Sequence, residues 1–162
     1  MNSAAAPAPQ RIAEITLDER TVIRRSRAIE DERAAAITDL LKDNQFTPLS
    51  GRAGPFRLHL AIEENRLLME IRAAGDGSSE SIVLPLAPFR RIVKDYFLVC
   101  ESYYEAIRDK TLTQVEAIDV GRRSLHDEGS ELLAERLAGK VAIDHDTARR
   151  LFTLICVLHL RS

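Results

Sequence analysis

The stretch "FRLHLAIEENRLLMEIRAAGDGSSESIVLPL", Phe56 to Leu86, decides how this chain folds. Its first segment alternates: Phe56, Leu58, Leu60 and Ile62 fall on one side, Arg57, His59 and Ala61 on the other. A period of two is the mark of a strand with one buried face, because successive side chains point to opposite faces. "EEN" separates this run from "RLLMEIRA", and "AGDGSS" separates that run from "ESIVLPL". Both connectors have turn chemistry and hairpin length, so the stretch predicts a three-stranded antiparallel meander. Its polar side implies that helices cover only the other face.

Upstream, "RIAEITL" alternates less cleanly through Ile12, Ile15 and Leu17 and offers a further strand. "AIEDERAAAITDLLKDN" places Ile29, Ala36, Ile37, Leu40 and Leu41 on one helical face, with Glu30, Asp31 and Glu32 at the positive end of the dipole. From Pro88 the chain reads as helix to its end. In "FRRIVKDYFLVCESYYEAIR" the residues Phe89, Val93, Tyr96, Cys100, Tyr103 and Ile107 make one apolar stripe. A long helix follows from a cap at Thr111 or Thr113 to Gly139. In it Gly121 and Gly129 each cost about 1 kcal/mol relative to Ala. The last helix, capped by Asp144 or Asp146, is apolar on almost every side, which belongs in the middle of a bundle. The expected architecture is α+β: a three- or four-stranded antiparallel meander with four helices packed mainly on one face. Residues 1–10 read as a disordered Ala/Pro tail and 11–162 as a single domain.

The composition of the 162 residues, 45% hydrophobic and 30% charged, is too apolar for a disordered chain. With 23 Lys+Arg against 25 Asp+Glu the net charge is -2, so no global field draws in nucleic acid or an anionic membrane. "MNSAAAPAPQ" lacks the basic and apolar regions of a secretory signal. The longest apolar run, "LFTLICVLHL", falls well short of the ~20 residues a membrane-spanning helix needs. Cys100 and Cys156 sit in apolar helical patterns, as reduced core thiols do. The expected location is the cytoplasm.

Chemistry could reside in four adjacent arginine pairs: Arg24-Arg25, Arg90-Arg91, Arg122-Arg123 and Arg149-Arg150. Guanidinium forks grip phosphate or carboxylate bidentately, so pairs converging across helices would make an anion site. The candidate set is Arg90, Arg91, Arg122, His126 and Arg149. Against it stands the commoner outcome for charged helices, in which neighbouring positions diverge by about 100° and pair with acids. His126 with Asp127 or Glu128 could transfer protons, but it also reads as a solvated histidine beside a close helix contact at Gly129. "DHD", Asp144 to Asp146, looks like a metal triplet but reads better as a helix cap. Cys156 and His159 share a helical face without a further donor. No phosphate loop, nucleophile elbow, zinc spacing or nucleic-acid motif is visible.

At "LAPFRRIVKDYFLVCESYYEAIR", "GRRSLHDEGSELLAERLAGKV" and "DTARRLFTLICVLHL" the chain resembles one of the uncharacterised protein families of alphaproteobacteria (the UPF series). The resemblance implies a bacterial cytoplasmic protein and assigns no catalytic residue. The expected function is a non-catalytic binding or regulatory domain without cofactor or metal. A homo-oligomer, a protein partner or a small anionic ligand is expected, and neither membrane nor nucleic acid. The rival is a small enzyme or phospho-ligand binder built on the Arg/His set.

Overall fold

The computed structural model of the protein describes residues 9–19 and 27–159. Residues 1–8 of the expected tail and the Arg24-Arg25 pair lie outside the described residues. Chain order is β1 (Ile12–Leu17), α1 (Arg27–Lys42), β2 (Phe46–Pro48), β3 (Phe56–Glu63), β4 (Arg66–Ala73) and β5 (Ser79–Pro85). A single 3-10 turn, Ala87–Phe89, leads into α2 (Arg90–Asp109). Then come α3 (Leu112–Leu137), β6 (Val141–Ile143) and α4 (His145–His159).

The meander forms as its alternation requires. β3 pairs antiparallel with β4, and β4 with β5. Phe56, Leu58, Leu60, Leu67, Met69, Ile71, Ile82 and Leu84 are all buried in one core with α4. Arg57, Glu70, Arg72 and Ser81 point away and stay exposed. The β3–β4 connection puts Glu64 and Asn65 at φ 51 and 62, the left-handed pair that a two-residue type I′ hairpin needs.

The sheet differs from a pure antiparallel meander in one respect. Its order is β1-β3-β4-β5, and β1 runs parallel to β3, so the sheet is mixed. The cause is the connection: α1 lies between the two strands and returns the chain to the same end, as a crossover must. A second, two-stranded antiparallel sheet joins β2 to β6, which also interrupts the run expected to be helical from Pro88 onward. Three-residue strands have too few positions to show a period, and pairing each to the other satisfies the backbone groups on their facing edges.

Asn44, at the exit of α1, ties that helix to β1. Its Oδ1 accepts from Ile12 N–H at 2.7 Å, and its Nδ2 donates to the carbonyls of Ile12 at 2.9 Å and Leu40 at 2.8 Å. Gln10, at the end of the expected tail, does likewise for the loop before β3: Nε2 donates to the Arg52 carbonyl at 3.0 Å, and Oε1 accepts from Gly54 N–H at 2.5 Å.

α3 is one unbroken helix, opened by a capping box in which Thr111 Oγ1 accepts from Gln114 N–H and Gln114 Oε1 from Thr111 N–H. Its Gly129 has a packing reason: a Cβ there would overlap the Phe152 ring of α4. Asp144 caps α4 by accepting from Thr147 N–H at 3.0 Å. From Thr147 to Leu158 nearly every residue of α4 is buried, so it is the central helix that its sequence predicts. The stripe that begins at Phe89 in the 3-10 turn is buried there and at Val93, Tyr96 and Cys100 of α2 but runs out into solvent at Ile107, which is 54% exposed.

Candidate functional site

α1, α3 and α4 enclose a cleft of about 180 Å³. α3 presents Arg122, Arg123 and His126 to it, and α4 presents Arg149, Arg150 and Thr153. Both helices use the same four-residue step, Arg122 to His126 and Arg149 to Thr153, which puts each cation and its polar neighbour on one face. α1 forms the opposite wall with Glu32 and Asp39, and the small side chains of Ala35 and Ala36 between them leave the space open. Tyr96 of α2 closes one end.

At the floor, His126 is only 8% exposed. Its ring lies 5.3 Å from both Tyr96 and Phe152, measured between centroids. The Thr153 hydroxyl donates to the Arg149 carbonyl at 3.2 Å, so its oxygen is left to accept from His126 Nε2–H at 2.7 Å. Burial, reinforced by Arg149, Arg122 and Arg150, holds the imidazole down to about 4, and it is therefore neutral at pH 7. Asp127, which with Glu128 was a possible carboxylate partner for His126, instead accepts from Arg149 Nη1 at 2.6 Å. The histidine is neither solvated nor part of a carboxylate pair.

Each arginine has an anchor. Arg122 reaches Glu32 at 3.2 Å and Asp119 at 2.8 Å and stacks over the Tyr103 ring at 4.6 Å. Burial alone would lower its pKa, but the Asp119 hydrogen bond and the Glu32 charge outweigh that and raise it. Arg123 also bonds Asp119, and these two guanidinium groups hold the Asp119 carboxyl below the usual range. Arg150 donates from Nη1 to the Asp146 carbonyl at 3.1 Å, while its Nε is buried without a hydrogen-bond partner among the described residues.

A second, tighter cavity of about 20 Å³ adjoins the first and shares Glu32, Tyr96 and Thr153 with it. Cys100 and Cys156 line it. Burial pushes the Cys100 thiol up to about 11 and the Cys156 thiol well above its ordinary value, so both stay protonated.

Of the residues singled out in the sequence, Arg122, His126 and Arg149 meet in the cleft. Arg90 and Arg91 do not line it. Arg91 is 93% exposed and pairs with Asp95 at 3.7 Å, four residues on. Their place at the start of α2 points them to solvent, while the stripe of that helix takes the inner face. Sequence reasoning left out of its set Arg123, Arg150, Thr153 and the acidic wall. The repeated four-residue step on α3 and α4 was the available signal for Thr153; nothing local ties Asp39 to arginines so far along the chain. Asp144, from the "DHD" triplet, serves α4 as its cap. Among the described residues no group of three or more His, Cys, Asp or Glu could hold a metal ion.

The chain matches the Uncharacterised protein family (UPF0262) over residues 9–161. It belongs to this family. A UPF0262 protein of Rhodospirillum rubrum is 60% identical over 150 residues, 93% of this chain and 92% of the relative. One from Paramagnetospirillum magneticum is 52% identical over 96% of this chain and 99% of the relative. Another, from Azorhizobium caulinodans, is 55% identical over 94% and 96%. No solved structure matches the chain. The UPF0262 match takes in α1, α3 and α4 entire, and hence every wall of the cleft. Among the described residues no helix is long and apolar enough to cross a membrane.

Proposed function

We propose that this UPF0262 chain is a non-catalytic binding protein whose ligand is a small oxyanion held in the α1–α3–α4 cleft. The observation that carries the reading is that two adjacent arginine pairs, Arg122-Arg123 and Arg149-Arg150, line one cavity from facing helices. Planar guanidinium groups approaching from two directions suit a phosphate or carboxylate, and acidic anchors hold them in place before the ligand arrives. The cleft is smaller than the roughly 300–1,000 Å³ of drug-sized sites, so the ligand is a compact metabolite.

A binding role fits better than a catalytic one because the groups that could react are held in inert forms. His126 is a weak base at about 4, and the Thr153 proton is committed to a main-chain carbonyl. Both thiols stay protonated. Calorimetric titration and thermal melting with inorganic phosphate test the reading. Saturable binding should raise the melting temperature by mass action. It should disappear in the double variant Arg149→Met/Arg150→Met and persist in Arg91→Met. No saturable binding, or equal binding in the double variant, refutes it.

A further inference from the structure

The two walls of the cleft differ in sign, and this bears on the ligand's second group. α3 and α4 contribute four guanidinium groups, whereas α1 contributes the carboxylates of Glu32 and Asp39. A site for a bare anion has no use for acids in its lining, since each repels the ligand unless it is fully spent on a cation. Glu32 is half spent. Its Oε1 takes both the Arg122 bond at 3.2 Å and the Tyr104 hydroxyl at 3.3 Å, and no described residue takes its Oε2. Asp39 lines the cleft and has no ion pair among the described residues.

The basic wall shows the matching surplus. Arg149 spends Nη1 on Asp127, and Arg150 spends Nη1 on the Asp146 carbonyl while its Nε stays unpartnered. Unspent acceptors on one side and unspent donors on the other, across a gap of about 180 Å³, call for one molecule with both signs. We infer that the ligand is a short zwitterion, with an oxyanion toward Arg149 and Arg150 and an ammonium toward Asp39 and Glu32. Compounds of this class include amino acids and aminoalkyl phosphates. The neutral His126–Thr153 floor adds no charge to either end, so the discrimination comes from the walls.

This inference rests on the oxyanion reading and is separable from it by isosteric pairs. Titrate the full chain with O-phosphoethanolamine against propyl phosphate, and with β-alanine against butyrate. Within each pair only an ammonium replaces a methyl group, and the phosphate and carboxylate arms tell the two oxyanions apart. In at least one pair the ammonium member should bind about tenfold more tightly, the equivalent of one partly screened charge contact. Asp39→Asn should shrink that preference, because Glu32 is then the one α1 carboxylate left in the lining. Equal affinity within both pairs for the wild type, with binding still lost in Arg149→Met/Arg150→Met, overturns the zwitterion and leaves the oxyanion site standing. A preference that survives Asp39→Asn undiminished also overturns it. No binding of any of the four compounds removes both readings.

Discussion

His126 Nε2 of α3 lies 2.7 Å from Thr153 Oγ1 of α4, a buried hydrogen bond beneath the cleft. The imidazole in that bond is uncharged at pH 7. Burial comes first among the causes that lower the imidazole to about 4 from its ordinary 6.5, and the arginines around it add to the effect. The folded state therefore binds fewer protons than the unfolded chain between these values. Stability contributed by the neutral ring is fully present above pH 6.5 and is lost as the pH falls toward 4. At about 1.4 kcal/mol per pKa unit the loss comes to roughly 3 kcal/mol. Urea melts of the wild type and of His126→Gln at several pH values between 7 and 4 check this. The wild-type curve should fall more steeply across the window, and parallel curves would contradict the assignment.

Gly129 and Gly121 stand eight positions apart on α3 and should respond to Ala in opposite directions. A Cβ at Gly129 would overlap the Phe152 ring, whereas at Gly121 nothing lies within 4 Å. Gly129→Ala should destabilise by roughly 1–3 kcal/mol, as overpacking does. Gly121→Ala should stabilise by up to about 1 kcal/mol through helix propensity alone. Chemical denaturation of the two variants reads both signs.

Asn44→Ala removes three hydrogen bonds, two to Ile12 of β1 and one to Leu40 of α1, and leaves the Ile12 N–H buried without its acceptor, at a cost of roughly 2–3 kcal/mol. Asn44→Asp should not rescue it. The carboxylate keeps one acceptor but faces the carbonyls of Ile12 and Leu40 with no proton to give. Amide exchange at Ile12 should quicken in both variants.

Glu64 occupies a left-handed backbone position, at φ 51, where Asn or Gly is preferred. Glu64→Asn should raise stability by roughly 0.5–1 kcal/mol without altering the cleft. Thermal melting measures the gain. Anion titration of the same variant should match the wild type.

Local pattern carried much of this fold. The alternation in Phe56–Ile62 located β3 and its buried face, and the turn residues around Glu64 and Asn65 located the hairpin. The unbroken apolarity after Arg150 marked α4 as central. What stayed hidden depends on partners distant in sequence. Ile12, Ile15 and Leu17 indicate a strand but carry no sign of direction, which the intervening α1 decides. β2 and β6 are visible only through each other, across almost a hundred residues. The cleft was legible as chemistry and illegible as geometry. Arg90-Arg91 and Arg149-Arg150 are the same dipeptide, and only helix phase and docking send one to solvent and the other to a cavity. The burial of His126 followed from Phe152 packing against Gly129, a contact between helices that no single-helix pattern encodes.

Among the described elements α4 is synthesised last, yet it is the piece against which the sheet, α1 and α3 all pack. A nascent chain that has emerged only as far as β6 therefore carries a meander that lacks the helix packed on β3. The core above β3, and with it the floor of the cleft, is completed only when α4 is in place.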